Sequence, residues 1–312
     1  MKYGMPYKGS KNKLAGKIFE LFPRKKNFYD LFCGGCAMTH YGLLHGCFEN
    51  FYMNDINPAC SELFMDAVHG KFKDEKRWIS REDFFRLKDS EPYVAFCWSF
   101  GNNLRHYIYG KDLEEIKRAW HYAIFFDDFE PFKKYDVDMS AIKGIKNLYK
   151  KYLTSKEILR KCHLEAGKGL QSCEGLFRLQ SCEGLFRLQS CEGLFRLQSL
   201  ERLRITVGSY DQVEIVPDSV IYCDIPYEGT DKYLTEFDFE KFYSWCEKQT
   251  EPLFISSYKM PAERFVCVAM FKHRCTLNDA QNIEVTEKVF IPKHQEKEYH
   301  LPGSLFNFDE MM

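Results

Sequence analysis

The stretch NFYDLFCGGCAMTHYGLLHGCFENFYMNDIN, residues 27–57, decides how the chain is read. Asn27 to Phe32 is a short apolar run that stops at Cys33-Gly34-Gly35, which predicts a strand followed by a tight turn. Ala37 to Leu44 suits a helix. Phe51 to Met53 is a second strand that delivers Asn54-Asp55-Ile56-Asn57, and Pro58 is placed to open the next helix at its first turn. Strand, glycine turn, helix, strand and acidic residue make half of a doubly wound α/β sheet. Glycines at the turn let the backbone pass close to a bound molecule. Asp55, 21 residues beyond Gly34, falls where an acidic group meets ribose hydroxyls. The turn lacks the G-x-G-x-x-G of dinucleotide binders, so a nucleoside without phosphates, such as AdoMet, suits it better.

Working outward, the pattern extends in both directions. Upstream, Lys11 to Phe22 carries Leu14, Ile18, Leu21 and Phe22 at helical spacing and stops at Pro23. Downstream the alternation resumes late. Asp218 to Cys223 is a strand leading into Asp224-Ile225-Pro226-Tyr227, and Asp238 to Lys248 is a helix that Asp238 can cap. Leu253 to Ser256, Phe265 to Phe271 and Glu287 to Ile291 are further strands. Between these blocks, from Lys71 to Arg202, the sequence turns basic, aromatic-rich and more helical. The expected organisation is therefore one α/β domain, residues 1–70 and 203–312, interrupted by an inserted region at 71–202.

Hydrophobic residues make up 45% and charged residues 29% of the 312, the balance of a soluble globular protein. No apolar run reaches membrane-spanning length, so no membrane partner is expected. The net charge is only −1, and a nucleic-acid binder of this balance must concentrate its cations locally. Ala141 to Lys168 does so, with eight basic residues against Glu157 and Glu165. The thirteen cysteines are odd in number and scattered, which fits a reducing cytoplasm better than a disulfide framework. Cys33 and Cys36 form a C-x-x-C that reads as two structural cysteines, and no metal site is expected.

One feature stands apart. LQSCEGLFR occupies 170–178, 179–187 and 188–196, and a decayed copy begins at Leu197, so that the repeats fill 170–198. A nine-residue step turns an α-helix by about 900°, so successive copies face opposite sides. The step is odd, so a strand would alternate faces as well. Each repeat glycine costs a helix about 1 kcal/mol relative to Ala. Neither regular element is expected to gain a consistent buried face, and the repeats read as a duplicated connector, where added length costs little.

Taken in order, Tyr7-Lys8-Gly9-Ser10-Lys11, Asp30-Leu31-Phe32-Cys33-Gly34-Gly35, Asn54-Asp55-Ile56-Asn57, Asp224-Ile225-Pro226-Tyr227 and Phe254-Ile255-Ser256-Ser257 resemble the ordered motifs of the Dam-type adenine-N6-specific DNA methyltransferases. The resemblance covers about the first sixty-five residues and the last hundred. It implies a Rossmann-like AdoMet-binding sheet with an inserted, mainly helical target-recognition domain, and double-stranded DNA as partner, with room for a companion restriction endonuclease. Tyr7 and Lys11 match the family's N-terminal cofactor contacts. Asp30, Phe32, Gly34 and Gly35 match its glycine loop, and Asp55 the acid on the ribose side. Asp224 matches the carboxylate that holds the adenine amino group, with Ile225 and Pro226 forming the rest of the loop and Tyr227 the stacking aromatic. Ile225 stands where the family usually has Pro. Cys36 stands at the usual second glycine, and Gly35 beside it is expected to take over the tight conformation.

The chemistry asks for these residue types. Adenine N6 is a poor nucleophile because its lone pair is delocalised into the ring. A carboxylate and a main-chain carbonyl accepting hydrogen bonds from the amino group localise that pair and stabilise developing positive charge. The adenine must leave the duplex stack, at about a few kcal/mol. Competing expectations are a catalytically impaired DNA- or AdoMet-binding relative, and a methyltransferase acting on cytosine N4 or on RNA.

Overall fold

The computed structural model describes residues 3–165, 178–226, 237–275 and 283–298. In chain order its helices and strands begin with α1 (Ala15–Phe19), β1 (Asn27–Asp30), α2 (Ala37–His45), β2 (Asn50–Asp55) and α3 (Pro58–Val68). Five helices follow, with no strand between them among the described residues: α4 (Arg81–Leu87), α5 (Pro92–Cys97), α6 (Glu114–Phe126), α7 (Leu148–Glu165) and α8 (Gln180–Cys191). The chain then runs through β3 (Leu203–Val207), β4 (Ser219–Asp224), α9 (Phe239–Cys246), β5 (Leu253–Ser257), β6 (Phe265–Cys275) and β7 (Ile283–Pro292). Two compact units result. A helical unit comprises Met1–Ser10, Glu62–Phe195 and Cys275–Ile283, and a sheet unit comprises Lys11–Ser61, Arg196–Arg274 and Glu284–Met312.

The sheet has seven strands in the order β3-β2-β1-β4-β5-β7-β6. β1 runs parallel to both β2 and β4, β2 parallel to β3, and β4 parallel to β5. β7 is antiparallel to β5, with Ser257 opposite Lys288. β1 and β5 are buried at every position, as strands covered on both faces must be. One core cluster joins Tyr29, Ile221, Cys223, Ile225, Phe242, Leu253 and Ile255. A second set of rings packs Phe19, Phe22, Phe28, Phe48, Phe51 and Phe254 against one another, which accounts for much of the phenylalanine surplus. α2 lies close on β2 because Gly42 leaves room: a β-carbon there would meet the Phe51 ring at 2.6 Å.

Three expectations change. The helix over 11–22 shrinks to Ala15–Phe19, because Lys11 to Leu14 form tight turns, with the Leu14 amide donating to the Lys11 carbonyl. The tight conformation at the glycine loop falls on Cys36 itself (φ 55°), together with Gly34 (φ 44°), and not on Gly35. A residue with a β-carbon pays about 1–2 kcal/mol to sit there, offset by burial of the thiol, 3.7 Å from that of Cys33.

The third change concerns the repeat. Its second copy and the start of the third form α8, which buries Ser181, Cys182, Gly184, Leu185, Leu188 and Cys191. Most of these positions fall three to four apart, so the buried stripe winds around the helix instead of switching faces. The α-helix stops before Gly193, whose turn is a 3₁₀-helix, Glu192–Arg196. Gly184 is where α8 meets α5: a β-carbon there would lie 3.3 Å from the Cys97 side chain. The first copy lies outside the described residues apart from its last residue, Arg178, whose carbonyl accepts from the buried Lys117 ammonium.

Candidate active site

In the strand order, β1 leads outward to β2 and β3 on one side, while β4 and β5 lie on the other. The carboxyl ends of β1 and β4 therefore flank a topological switch point, the crevice where open α/β sheets bind ligands. Asp30 pairs with Tyr222 across these strands, so the loop after Asp30 and the carboxylate of Asp224 emerge side by side.

The loop after β1 is tied to the end of β2. The Gly34 amide donates to Asp55 Oδ2 at 2.8 Å, and the Asn57 amide donates to Asp55 Oδ1 at 2.9 Å. The Cys33 amide donates to the Asn54 carbonyl at 2.9 Å. The Asn54 side chain donates in turn to the carbonyls of Leu31 and Gly208. Burial pushes the Asp55 carboxyl above its ordinary value, against the pull of these backbone donors. Asp30 is fully buried, and its Oδ2 accepts from both the amide and the hydroxyl of Thr39 in α2. Burial raises the Asp30 pKa to about 7; the Thr39 bonds oppose the rise, and the nearby charges of Asp224 and Asp55 add to it. The Phe32 ring packs against Tyr210, Phe237 and Phe242.

At the end of β4, Asp224 keeps a partly open side chain, 22% exposed, and its Oδ1 accepts from the Lys11 ammonium at 2.6 Å. Burial raises the Asp224 pKa, and the Lys11 charge and hydrogen bond pull it back. Lys11 is 4% exposed, and Glu287 Oε2 lies 3.8 Å from the same nitrogen. Ile225 is buried in the core beside Phe242 and Ile255, and Pro226 is half-buried. Next to the site, the Tyr222 and Ser256 hydroxyls are hydrogen-bonded at 2.7 Å.

Within the sheet unit, then, Lys11, Asp30, Phe32, Gly34, Gly35, Asp55, Asp224, Ile225 and Pro226 all lie at or beside the carboxyl ends of β1, β2 and β4. Tyr7 belongs to the helical unit, where its ring sits 5.9 Å from Phe96. Tyr227 lies outside the described residues. Sequence reasoning passed over Thr39 and Glu287 as site residues, and quoted Asn54 only as part of the motif around Asp55. The signal for Glu287 was present, since it is the acidic first residue of the largely apolar run at 287–291.

The residues present fit AdoMet. Asp30, Asp55 and Asp224 lie near enough for the other two charges to raise the proton affinity of Asp30, an environment that favours a cationic sulfonium and repels a pyrophosphate. Among the described residues there is no group of three or more His, Cys, Asp or Glu placed to hold a metal ion.

A mostly parallel seven-stranded sheet with this crevice is consistent with a Rossmann-like methyltransferase. Residues 7–122 match the family model described as D12 class N6 adenine-specific DNA methyltransferase, which supports an enzyme of this kind. The family implies AdoMet as methyl donor and DNA as the molecule acted on. The matched stretch holds the glycine loop and Asp55; Asp224 lies beyond it. No curated protein matches the chain.

Proposed function

We propose that the chain transfers a methyl group from AdoMet to N6 of an adenine flipped out of double-stranded DNA. The observation that carries this reading is the placement of Asp224 at the carboxyl end of β4, beside the glycine loop of β1 and held by Lys11. When bound, AdoMet supplies a sulfonium methyl whose carbon–sulfur bond breaks toward sulfur as the N6 lone pair forms the new bond. Asp55 and the backbone around Gly34 and Gly35 receive the nucleoside, with Phe32 and Asp30 supporting the loop. Asp224 accepts a hydrogen bond from the adenine amino group, and the Ile225 carbonyl accepts the second. Both draw the lone pair out of the ring and stabilise the positive charge that N6 gains before it releases a proton. Tyr227 stacks on the extruded base. Lys11 holds the Asp224 carboxylate ionised, the form that can only accept.

Residues 71–202 act in this reading as the target-recognition region. Lys143, Lys146, Lys150, Arg160 and Lys161 are exposed on and before α7, where they can neutralise phosphates.

The test is a product digest. DNA incubated with the protein and isotopically labelled AdoMet, hydrolysed and resolved by mass spectrometry, should yield labelled N6-methyladenine, and Asp224→Ala should abolish it. Label on cytosine N4, label on RNA alone, or full activity in Asp224→Ala would overturn the proposal.

A further inference from the structure

The carboxyl edge of the sheet holds one carboxylate that the transfer described above does not use. Because β7 runs antiparallel to β5, it brings residues 287 and 288 to the edge where the parallel strands end, with Lys288 opposite Ser257. Glu287 is 2% exposed. Its Oε2 lies 3.8 Å from Lys11 Nζ, and that nitrogen is 2.6 Å from Asp224 Oδ1. A buried ammonium thus stands between two carboxylates contributed by different strands.

We propose that Glu287 is a positioning residue for methyl transfer: it draws the Lys11 ammonium back so that Asp224 can turn its oxygen to the adenine amino group. The proposal rests on the methyl-transfer reading above. A bond of 2.6 Å from Lys11 engages Asp224 Oδ1, and in this proposal that is the oxygen the incoming amino group takes. Loosening that bond strands a buried cation unless another carboxylate takes up its charge, and an unpaired buried charge is costly. Glu287 is placed to take it. A small shift of Nζ toward Oε2 shortens one distance while it lengthens the other, so the ammonium stays paired throughout. Removing Glu287 removes the pull away from Asp224 and leaves the acceptor occupied. Among the described residues, Asp30 from β1, Asp55 from β2 and Tyr222 from β4 interact electrostatically with Asp224, with one another, or with Glu287.

The test compares Glu287→Gln and Glu287→Asp, each alone and combined with Lys11→Met, at saturating AdoMet and DNA. Glu287→Gln should lower kcat roughly tenfold, in the range of couplings between neighbouring charges, while KM for DNA stays unchanged. It should also move the acid limb of the kcat profile to lower pH, because Asp224 is then held more firmly as the ion. Glu287→Asp should restore part of the rate, and Glu287→Gln should cost nothing further once Lys11 is Met. Wild-type kcat and acid limb in Glu287→Gln, or an undiminished loss on the Lys11→Met background, would overturn the proposal. Thermal unfolding of the wild type, the Glu287→Gln and Lys11→Met variants and their double mutant gives a readout independent of activity. Lys11→Met should lower the midpoint less when Glu287 is already Gln, and additive midpoints would overturn the pairing. Wild-type protein that makes no N6-methyladenine overturns the transfer reading itself, and the midpoint cycle then still decides whether Glu287 holds Lys11.

Discussion

Lys11 Nζ and Asp224 Oδ1 lie 2.6 Å apart although 213 positions separate the two residues in the chain. This pair joins the first motif of the sequence to the loop that follows β4. In the proposed reaction, Asp224→Asn keeps the shape of the side chain but loses the charge that would steady developing positive charge on N6. We expect kcat to fall about 10²–10³-fold, the usual cost of removing one preorganised electrostatic group. AdoMet affinity, measured by equilibrium dialysis, should fall by much less than kcat, because one nearby negative charge is lost while Asp55 still holds the loop at Gly34.

Asp30 titrates in a window where the unfolded chain does not. Its folded pKa is raised to about 7 from 3.8, so between about pH 4 and 7 the folded protein keeps a proton that the unfolded chain has released. The stabilising contribution is therefore full below the unfolded value and is lost as pH rises through 7. A gap of this size corresponds to at most about 4 kcal/mol. Asp30→Asn still offers Thr39 an acceptor and cannot ionise. Urea unfolding from pH 5 to 8 should show a shallower loss of stability with rising pH in this variant than in the wild type.

The repeat glycines are identical in sequence and unequal in place. A side chain at Gly184 meets Cys97 at 3.3 Å, whereas nothing lies within 4 Å of a β-carbon at Gly193. Gly184→Val should destabilise the protein by about 1–3 kcal/mol through overpacking. Gly193→Ala should be neutral or slightly stabilising. Chemical denaturation of the two variants makes the comparison.

The cations around α7 divide in the same manner. Lys143, Lys146 and Lys150 are exposed, but Lys151 is buried and paired with Asp127 at 2.7 Å. If the exposed three bind phosphates, changing each to Gln should reduce the slope of log affinity against log salt by about 0.9 for every phosphate no longer neutralised. Lys151→Gln should lower the thermal midpoint and leave that slope unchanged. Fluorescence anisotropy with a duplex across a salt series separates these outcomes.

Local chemistry made much of the fold legible before any coordinates. The glycine turn, Pro58 at the start of α3 and Asp238 at the cap of α9 all act within a few residues, and Asp238 does accept from the Lys241 amide. The strands β1, β4 and β5 were readable as apolar runs because both of their faces are buried. β3 was not, since an edge strand with four exposed positions carries little hydrophobic pattern. At the site, residues Gly34, Asp55 and Asp224 stood out through their motifs. Glu287 showed only as the acidic start of an apolar run; its nearness to Lys11 depends on β7 reversing direction beside β5, and pairing direction is set by the whole sheet. The repeat misled for a related reason: periodicity alone shows which faces a unit presents, not how much of a helix its neighbours can cover.

That cover has a genetic consequence. α8 needs one copy followed by the opening of another, so any copy that has a further copy behind it carries the same residues into the cradle. A gene that gained a fourth unit by slippage would encode an unaltered α8 and only a longer stretch between Glu165 and the arginine now at position 178. Copy number at this locus can therefore drift upward while the packed interior of the enzyme stays the same.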